Sequence, residues 1–453
     1  MKKNEFIILE ITAMSSEGSG IGRYEGLAVF VPMTAVGDKV RVKIVKVKSN
    51  CAFVIIDEII SPSPDRADND CPVFKQCGGC AYRHITYQSE CRIKQNKVYE
   101  AIKRIGGIDL QPRPIISAVS DKRYRNKAQF PVCDDGRVGF YAARSHRAVP
   151  CDDCLLQPEE FTAAAEVFGH FMRKFGITAY DETTHKGVVR HFYLRKAGAT
   201  GEIMAVVVIN ADNLFGAEEL AALLREQIGE KLRSVQLNIN RRDTNVILGD
   251  KNIVVWGDSY ITDILCGVKI RISPLSFYQV NRDMAERLYE KAAEYAEPEG
   301  KTVLDLYCGA GTIGLSMADR AKMIIGAEIV PEAVRDAKIN AEANGIKNAG
   351  FMCADAADAA KQLHREGLCP DVVIVDPPRK GCSAELLRTV ANDFSPKKLV
   401  YISCDPATLA RDAAILSDLG YQLLEYTPVD LFPKTHHVEC AAKFIARHSD
   451  INS

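Results

Sequence analysis

Val303-Leu-Asp-Leu-Tyr-Cys-Gly-Ala-Gly-Thr-Ile-Gly314 decides the fold. Residues 303–307 are an apolar run that reads as a buried strand, and 308–314 read as a glycine loop opening a helix. Ile324-Ile-Gly-Ala-Glu328 is the next strand and ends on an acid. Val372-Val-Ile-Val-Asp376 is another, capped by Asp376-Pro-Pro-Arg379. Strands and helices alternate from about residue 275, which predicts a doubly wound, Rossmann-like parallel sheet over 271–453. Gly309-x-Gly311-x-x-Gly314 matches the dinucleotide fingerprint, with Glu328 about 20 residues on, at the ribose position. That pattern alone fits NAD or S-adenosylmethionine. Asp305 just before the loop and Asp376-Pro-Pro at a later strand end favour the methyl donor.

Leu399-Val-Tyr-Ile-Ser-Cys-Asp-Pro-Ala-Thr-Leu-Ala-Arg-Asp412 lies further along the same sheet. Leu399–Ser403 reads as a short buried strand. Asp405 is a good N-cap, and Pro406 fits the first helical position. Cys404 therefore falls at a strand-to-helix junction, near helix N–H groups that favour a thiolate. A lone cysteine is more commonly a small buried hydrophobe. A dehydrogenase, however, needs neither a poised thiol nor Asp-Pro-Pro.

The 453 residues suggest two to four domains, and a composition 47% hydrophobic and 26% charged is that of an ordinary globular protein. With no apolar run near membrane-spanning length and no signal-peptide pattern, a cytoplasmic protein without membrane contact is expected. A formal net charge of −1 argues against binding by bulk charge but leaves room for local basic patches. Fifteen cysteines without a secretory signal argue against a disulfide framework. Cys51, Cys91, Cys133, Cys266, Cys353, Cys369, Cys382 and Cys440 are isolated and default to small buried hydrophobes.

Residues 1–60 read as a small β unit. Phe6–Thr12, Leu27–Val31, Lys39–Val47 and Phe53–Ile59 are strand-like, with glycine-rich turns between them. This suggests a five-stranded OB-type barrel. The cations of 39–48 change phase once, which predicts a bulge. They suit either a phosphate backbone or a solvated edge strand. Ser61-Pro-Ser-Pro64 reads as a linker to a central domain over 65–270.

Cys71-(x5)-Cys77-(x2)-Cys80 and the distant Cys151-Asp-Asp-Cys154 can supply a four-thiolate site for zinc or a [4Fe–4S] cluster, which spacing does not separate. Residues 85–105 have helical periodicity, with Ile93, Val98, Ile102 and Ile105 on one face and Gly106-Gly107 as the stop. Lysines and arginines crowd 81–104 and 120–150, the second stretch interleaved with Tyr124, Phe130, Phe140 and Tyr141. This reads as a nucleic-acid face, or blandly as solvated surface over core aromatics. In 155–270, helices are expected at 161–175 and 217–228. Strands are expected at 204–209, 234–238, 245–248 and 269–272. No chemistry is assigned there.

Asp376-Pro-Pro-Arg379, Ser403-Cys-Asp-Pro406, Phe277-Tyr-Gln279-Val-Asn281, Asp305-Leu-Tyr-Cys-Gly-Ala-Gly311 and His437-Val-Glu439 together resemble the RNA (uracil-5-)-methyltransferase family over essentially the whole chain. The resemblance implies that the first unit is a TRAM domain. It implies that Cys71, Cys77, Cys80 and Cys154 hold a [4Fe–4S] cluster. Cys151 is the near competitor, and Cys154 is preferred because Leu155 follows it. Barrel and cluster resemble the branch acting on 23S ribosomal RNA, with tRNA as the alternative substrate. Gln279, Tyr307, Gly309, Glu328 and Asp376 would contact S-adenosylmethionine, Cys404 would be the nucleophile and Glu439 the general base. Thr312 and Asp355 depart from the family pattern on either side of the donor site. Carbon 5 of uracil cannot attack a methyl group unaided, so one thiolate and one carboxylate are the minimum set. The target uridine is expected flipped out of the RNA. The helix near 85–106 would pack on the catalytic domain. No obligate protein partner is expected, and a monomer is the default.

Overall fold

The computed structural model describes residues 1–447. Three sheets succeed one another along the chain. Strands β1 (Phe6–Glu10), β2 (Ala13–Met14), β3 (Gly20–Tyr24), β4 (Leu27–Val31), β5 (Lys39–Val47) and β6 (Cys51–Ser61) form the first, in the order β1-β5-β6-β4-β3-β2. β1, β4, β5 and β6 are the four strands expected; β3 runs through Gly20 and Gly22, which read as turn, and the two-residue β2 is a sixth. Ile7, Leu9, Val40, Val42 and Ile44 are buried by strict alternation. The expected bulge is a register shift between Ile44 and Lys46 on β5, after which the alternation is lost.

Residues 61–64 are not a loose linker. Ser61 ends β6, and Asp38, fully buried, accepts from the backbone N–H of Ser63 at 2.8 Å and of Ala35 at 2.6 Å. It also accepts from Arg66 through both oxygens. A buried bidentate pair thus rivets the barrel to the start of the central region.

Helix α1 (Tyr87–Arg104) is capped by Thr86. Val98 and Ile102 pack with Leu409, Ala410 and Ala413, while Ile93 leans on Ala35, Tyr82 and Ile85 beside the barrel. Ile105, expected on the same face, is instead the C-cap and is half exposed, because the helix has ended.

The second sheet holds β7 (Lys127–Pro131), β10 (Val189–Lys196), β11 (Ile203–Ile209), β12 (Leu232–Ile239) and β13 (Lys251–Gly257), in the order β13-β12-β11-β10-β7. Helices α2 (Glu159–Lys174) and α3 (Ala217–Ile228) share its core, where Phe168 stacks on Phe192 at 4.2 Å. A small hairpin, β8 (Gly139–Tyr141) with β9 (Ala148–Pro150), lies beside it. The strand expected at 245–248 is absent. Asn240 Nδ2 donates to the carbonyls of Val246 and Ile247, and Asn238 exchanges hydrogen bonds with Gly249. Those amides satisfy the backbone that a ladder would have used.

Hairpin β14 (Ile261–Leu265) with β15 (Val268–Ile272) and helix α4 (Arg282–Ala296) lead into the third sheet. Its strands are β16 (Thr302–Leu306), β17 (Met323–Glu328), β18 (Ala349–Cys353), β19 (Val372–Val375), β20 (Lys398–Ser403), β21 (Tyr421–Val429) and β22 (Glu439–Ala446). Helices α5 (Thr312–Leu315), α6 (Pro331–Ala343), α7 (Ala356–Arg365), α8 (Ala384–Arg388) and α9 (Pro406–Asp418) connect them. The order β18-β17-β16-β19-β20-β22-β21 is parallel up to β20, and β22 is antiparallel to both its neighbours. The order reverses between β16 and β19, the switch point where open α/β sheets bind ligands. No helix among the described residues is long and apolar enough to cross a membrane.

Candidate active site

The switch point places the glycine loop over open space. Gly309 has φ +55°, and a Cβ there would meet no atom within 4 Å. Gly314, by contrast, is pressed onto the sheet, where a Cβ would lie 2.7 Å from Ile324. Glu328 accepts the Gly309 N–H at 3.1 Å and the Val330 N–H at 2.9 Å. Asp305, fully buried, accepts from Gly314 N at 3.1 Å and has one oxygen without a partner. Burial, then the charge of Asp376, pushes the Asp305 carboxyl up to about 8. Burial alone pushes Asp376 to about 7. Three acids around an open cradle, two held short of full ionisation, fit a cationic ligand whose charge would restore theirs.

Gln279 and Thr312 hydrogen-bond the Tyr289 hydroxyl, which also feels Asp376. Gln279 and Asp376 are thereby gathered at one end of the crevice. Tyr307, at φ +69°, turns the chain from β16 into the loop and lies beside Cys382. Asp355 caps α7, through Ala357 N at 2.9 Å, and its charge also reaches Tyr307.

The thiol and the second acid meet because of sheet register. Ser403 pairs with Cys440, so Cys404 and Glu439 stand together where β20 ends and β22 begins. Asp405 caps α9 through Ala407 N and Thr408 N at 2.9 and 3.1 Å, with Pro406 first in the helix, as expected. The expectation of a ready thiolate is corrected. Burial pushes the Cys404 thiol up to about 11, and the charges of Glu439 and Asp376 add to this against the cation of Arg379. Two carboxylates outweigh the cap. Glu439 is 4% exposed, and burial followed by the charge of Asp376 raises it to about 8, with Arg379 opposing.

Arg379, which the sequence reading quotes but gives no role, brings a cation to the site. Its charge reaches Cys404, Glu439, His436 and His437, and its side chain is exposed. Its position directly after Asp376-Pro-Pro was the available signal.

Cys71, Cys77, Cys80, Cys151 and Cys154 converge, each within electrostatic reach of others of the set. Gly79 N donates to Cys77 Sγ at 3.3 Å. Cys154 receives the thiol of Cys151 and the N–H groups of Leu156 and Gln157, which draw its thiol down towards the thiolate. Among the described residues, no group of three or more His, Cys, Asp or Glu side chains is assembled to hold a metal ion. The donors fit soft-metal chemistry by kind and neighbourhood, not by finished geometry. Of the isolated cysteines, Cys353 and Cys369 are exposed and Cys51, Cys133 and Cys266 half-buried, against the default reading.

The basic stretch 81–104 is not a free cationic face. Arg83 pairs with Asp70, Arg92 with Asp65, Lys103 with Asp109, Arg104 with Glu100, and Lys94 with Glu90 and Asp430. Residues 120–150 differ. Arg123, Arg137 and Arg144 are paired with acids, but Lys127 stands in register with Arg195 on β10 and beside Arg125. Among the described residues none of these three has a carboxylate partner. Burial, then Arg195 and Arg125, lowers Lys127 to about 8. Asn126, between them, donates its backbone N–H to Val280 O and its amide to Gln279 O, so this cluster adjoins the donor crevice.

A doubly wound sheet with a glycine cradle, strand-end acids and a thiol at its lip defines a Rossmann-like methyltransferase. The family model for tRNA (uracil-5-)-methyltransferases matches residues 86–447, and that for the TRAM domain residues 4–54. An uncharacterised RNA methyltransferase of Halalkalibacterium halodurans is 42% identical over 447 residues, covering 98% of this chain and 97% of its own. One from Clostridium tetani is 42% identical over 443 residues, covering 97% and 96%. The tRNA (uracil-54, C5)-methyltransferase of Pyrococcus abyssi, solved with S-adenosyl-L-homocysteine, superposes with a TM-score of 0.78 at 27% identity, covering 97% of this chain and 100% of its own. The chain belongs to the tRNA (uracil-5-)-methyltransferase family and carries a TRAM domain. By family and fold it is an S-adenosylmethionine-dependent RNA methyltransferase.

Proposed function

We propose that the protein methylates carbon 5 of a uridine in 23S ribosomal RNA, through a covalent adduct between Cys404 and the flipped-out base. The observation that carries the chemistry is the register of β20 and β22, which joins a thiol and a dry carboxyl beside the crevice. The Cys404 thiolate adds to carbon 6 of uracil, and the electron pair of the C5=C6 bond becomes an enolate with nucleophilic carbon 5. S-adenosylmethionine, when bound by Gln279, Tyr307, Gly309, Glu328 and Asp376, supplies an electrophilic methyl on a cationic sulfur. Glu439 then takes the remaining proton from carbon 5, and that C–H electron pair reforms the double bond as the thiolate leaves carbon 6. Lys127 and Arg125, half-buried cations without acid partners near Gln279, suit the RNA backbone, whereas Arg195 is buried and donates to the Ser273 carbonyl.

The four-cysteine set Cys71, Cys77, Cys80 and Cys154 is read as the ligand set of a [4Fe–4S] cluster: spacing and convergence support a thiolate metal site, and the family resemblance favours the cluster over zinc. Bound, it would cross-link 71–80 to 154. Anaerobically purified protein is expected to be brown and to contain iron and sulfide, and colourless zinc protein would refute the cluster.

Cys404→Ala is expected to abolish turnover yet still bind RNA, and Glu439→Gln to accumulate the covalent adduct. Unimpaired methyl transfer in both would refute the roles. The rRNA reading is supported by the barrel together with the cysteine set. The likeness to an archaeal tRNA enzyme over nearly the full chain favours tRNA as the second reading. Mapping 5-methyluridine in both RNAs from a deletion strain decides: loss from 23S rRNA supports the first, loss only from tRNA the second. The protein is proposed to work as a cytoplasmic monomer, with residues 1–60, 65–270 and 271–453 as its domains.

A further inference from the structure

Residues 430–438 join β21 to β22 and deliver the chain to Glu439. Thr435 and His437 bond within this short segment and Leu431 N bonds back to Val429, but its other principal hydrogen bonds come from outside the catalytic sheet. Lys94 of α1, fully buried, donates to Asp430 Oδ1 at 2.6 Å, to the Phe432 carbonyl at 3.0 Å and to Glu90 Oε1 at 2.6 Å. Tyr87 donates to the other Asp430 oxygen at 2.8 Å. Glu90 Oε1 also accepts the Lys434 N–H at 2.7 Å. The N–H groups of Ala81 and Tyr82, directly after Cys80, both donate to the Lys434 carbonyl, at 2.8 and 3.0 Å. Tyr124 donates to the Pro433 carbonyl at 2.9 Å. Lys97, one turn beyond Lys94, donates to the His436 carbonyl at 2.9 Å and to the Ser16 carbonyl of the barrel at 3.0 Å.

Stability alone does not call for this arrangement. Glu90, Lys94 and Asp430 have no exposed surface, and apolar residues of like volume often stabilise as well as a buried ion triad. What the triad adds is direction, since through Lys94 and Glu90 it fixes two backbone points of the segment, the Phe432 carbonyl and the Lys434 N–H. Lys434, where three of the bonds meet, has φ +67°, a strained conformation for a side-chain-bearing residue that its surroundings must enforce.

We propose that residues 430–438 are a positioning strap for Glu439, and that Lys94 is its chief positioning residue. The aim of the base is then set by α1, by the loop after Cys80 and by Tyr124 together. This rests on the reading of Glu439 as the base. Cys404 is placed independently, by β20 and the Asp405 cap. A slack strap should therefore spare addition of the thiolate and slow removal of the carbon 5 proton, which needs the carboxylate within about 3 Å.

The test uses the full-length protein with RNA substrate. Tyr124→Phe and Lys97→Met each remove one anchor with little disturbance, and Lys94→Met removes the chief one. The triple variant Lys94→Met, Glu90→Gln, Asp430→Asn removes the charges together, should Lys94→Met alone not fold. Each is compared with Glu439→Gln for kcat, KM for RNA and the fraction of protein covalently bound to RNA on denaturing gels. In folded strap variants kcat is expected to fall about tenfold, with KM within about twofold and the adduct fraction raised. If Glu439→Gln accumulates adduct and the folded strap variants do not, the strap fails and the mechanism stands. Strap variants that lose kcat with no rise in adduct overturn it equally, since general loss of structure would do that. If Glu439→Gln itself accumulates none, the base assignment falls and the strap with it.

Discussion

Cys404 and Glu439 both face the same obstacle: each is pushed away from the ionised form in which it would act. Burial and neighbouring acids hold the thiol near 11 and the carboxyl near 8. Both must lose a proton, so kcat/KM, which reports the free enzyme, is expected to rise with pH from 6 through 8 and beyond. A profile falling across that range would contradict the roles. Arg379 is the cation that favours both charged forms. Arg379→Met should displace the rising limb to higher pH, and the displacement should shrink in high salt because the side chain is exposed. At this scale the strand-to-helix junction that holds Cys404 was legible, because Asp405 and Pro406 are local cap chemistry. The thiol's protonation state was not, because Glu439 and Asp376 reach it through sheet pairing.

Helix α1 is the element that ties the parts together. Ile102 is fully buried against α9, the helix that begins just after Cys404. Ile102→Ala is expected to cost about 2–5 kcal/mol in urea unfolding, by lost burial and a cavity. Gly106→Ala should also destabilise, since its Cβ would lie 2.6 Å from the Ile102 carbonyl and 3.0 Å from that of Ala410. Periodicity revealed the helix and most of its packing face. It revealed the i,i+4 partners Glu90 and Glu100 but not that Arg83, Arg92 and Lys94 also meet Asp70, Asp65 and Asp430, because those acids lie in other segments. The false strand at 245–248 failed for a related reason: asparagine side chains took its hydrogen bonds.

Over the whole molecule, Asp305, Asp376 and Glu439 give stability a particular pH dependence. Their folded values of about 8, 7 and 8 lie above ordinary ones of 3.8, 3.8 and 4.5. Between these limits the folded chain holds more protons on these three groups than the unfolded one, so their contribution to stability falls as pH rises from about 4 to 8. Glu439→Gln should flatten that decline in melting temperature; an unchanged slope would argue against its raised value. Removing the buried partner at the barrel joint, by Asp38→Ala, leaves Arg66 unpaired and should cost about 3–5 kcal/mol. Protease susceptibility at 61–66 would report the loosened joint. The Rossmann-like sheet was legible as a class from its glycine loop and strand-end acids, and the barrel from turn spacing. The joints were not, since each is built from single polar residues far apart in sequence.

Strand β22 lies between β20 and β21, yet it is made after both. Until residues 439–446 have left the ribosome, β20 is an open edge and β21 has no partner. The nascent chain must therefore carry the open edge of β20 and the unpaired, largely apolar β21 until β22 is made. Chaperone demand should peak in that interval, and catalytic competence should come all at once when β22 inserts.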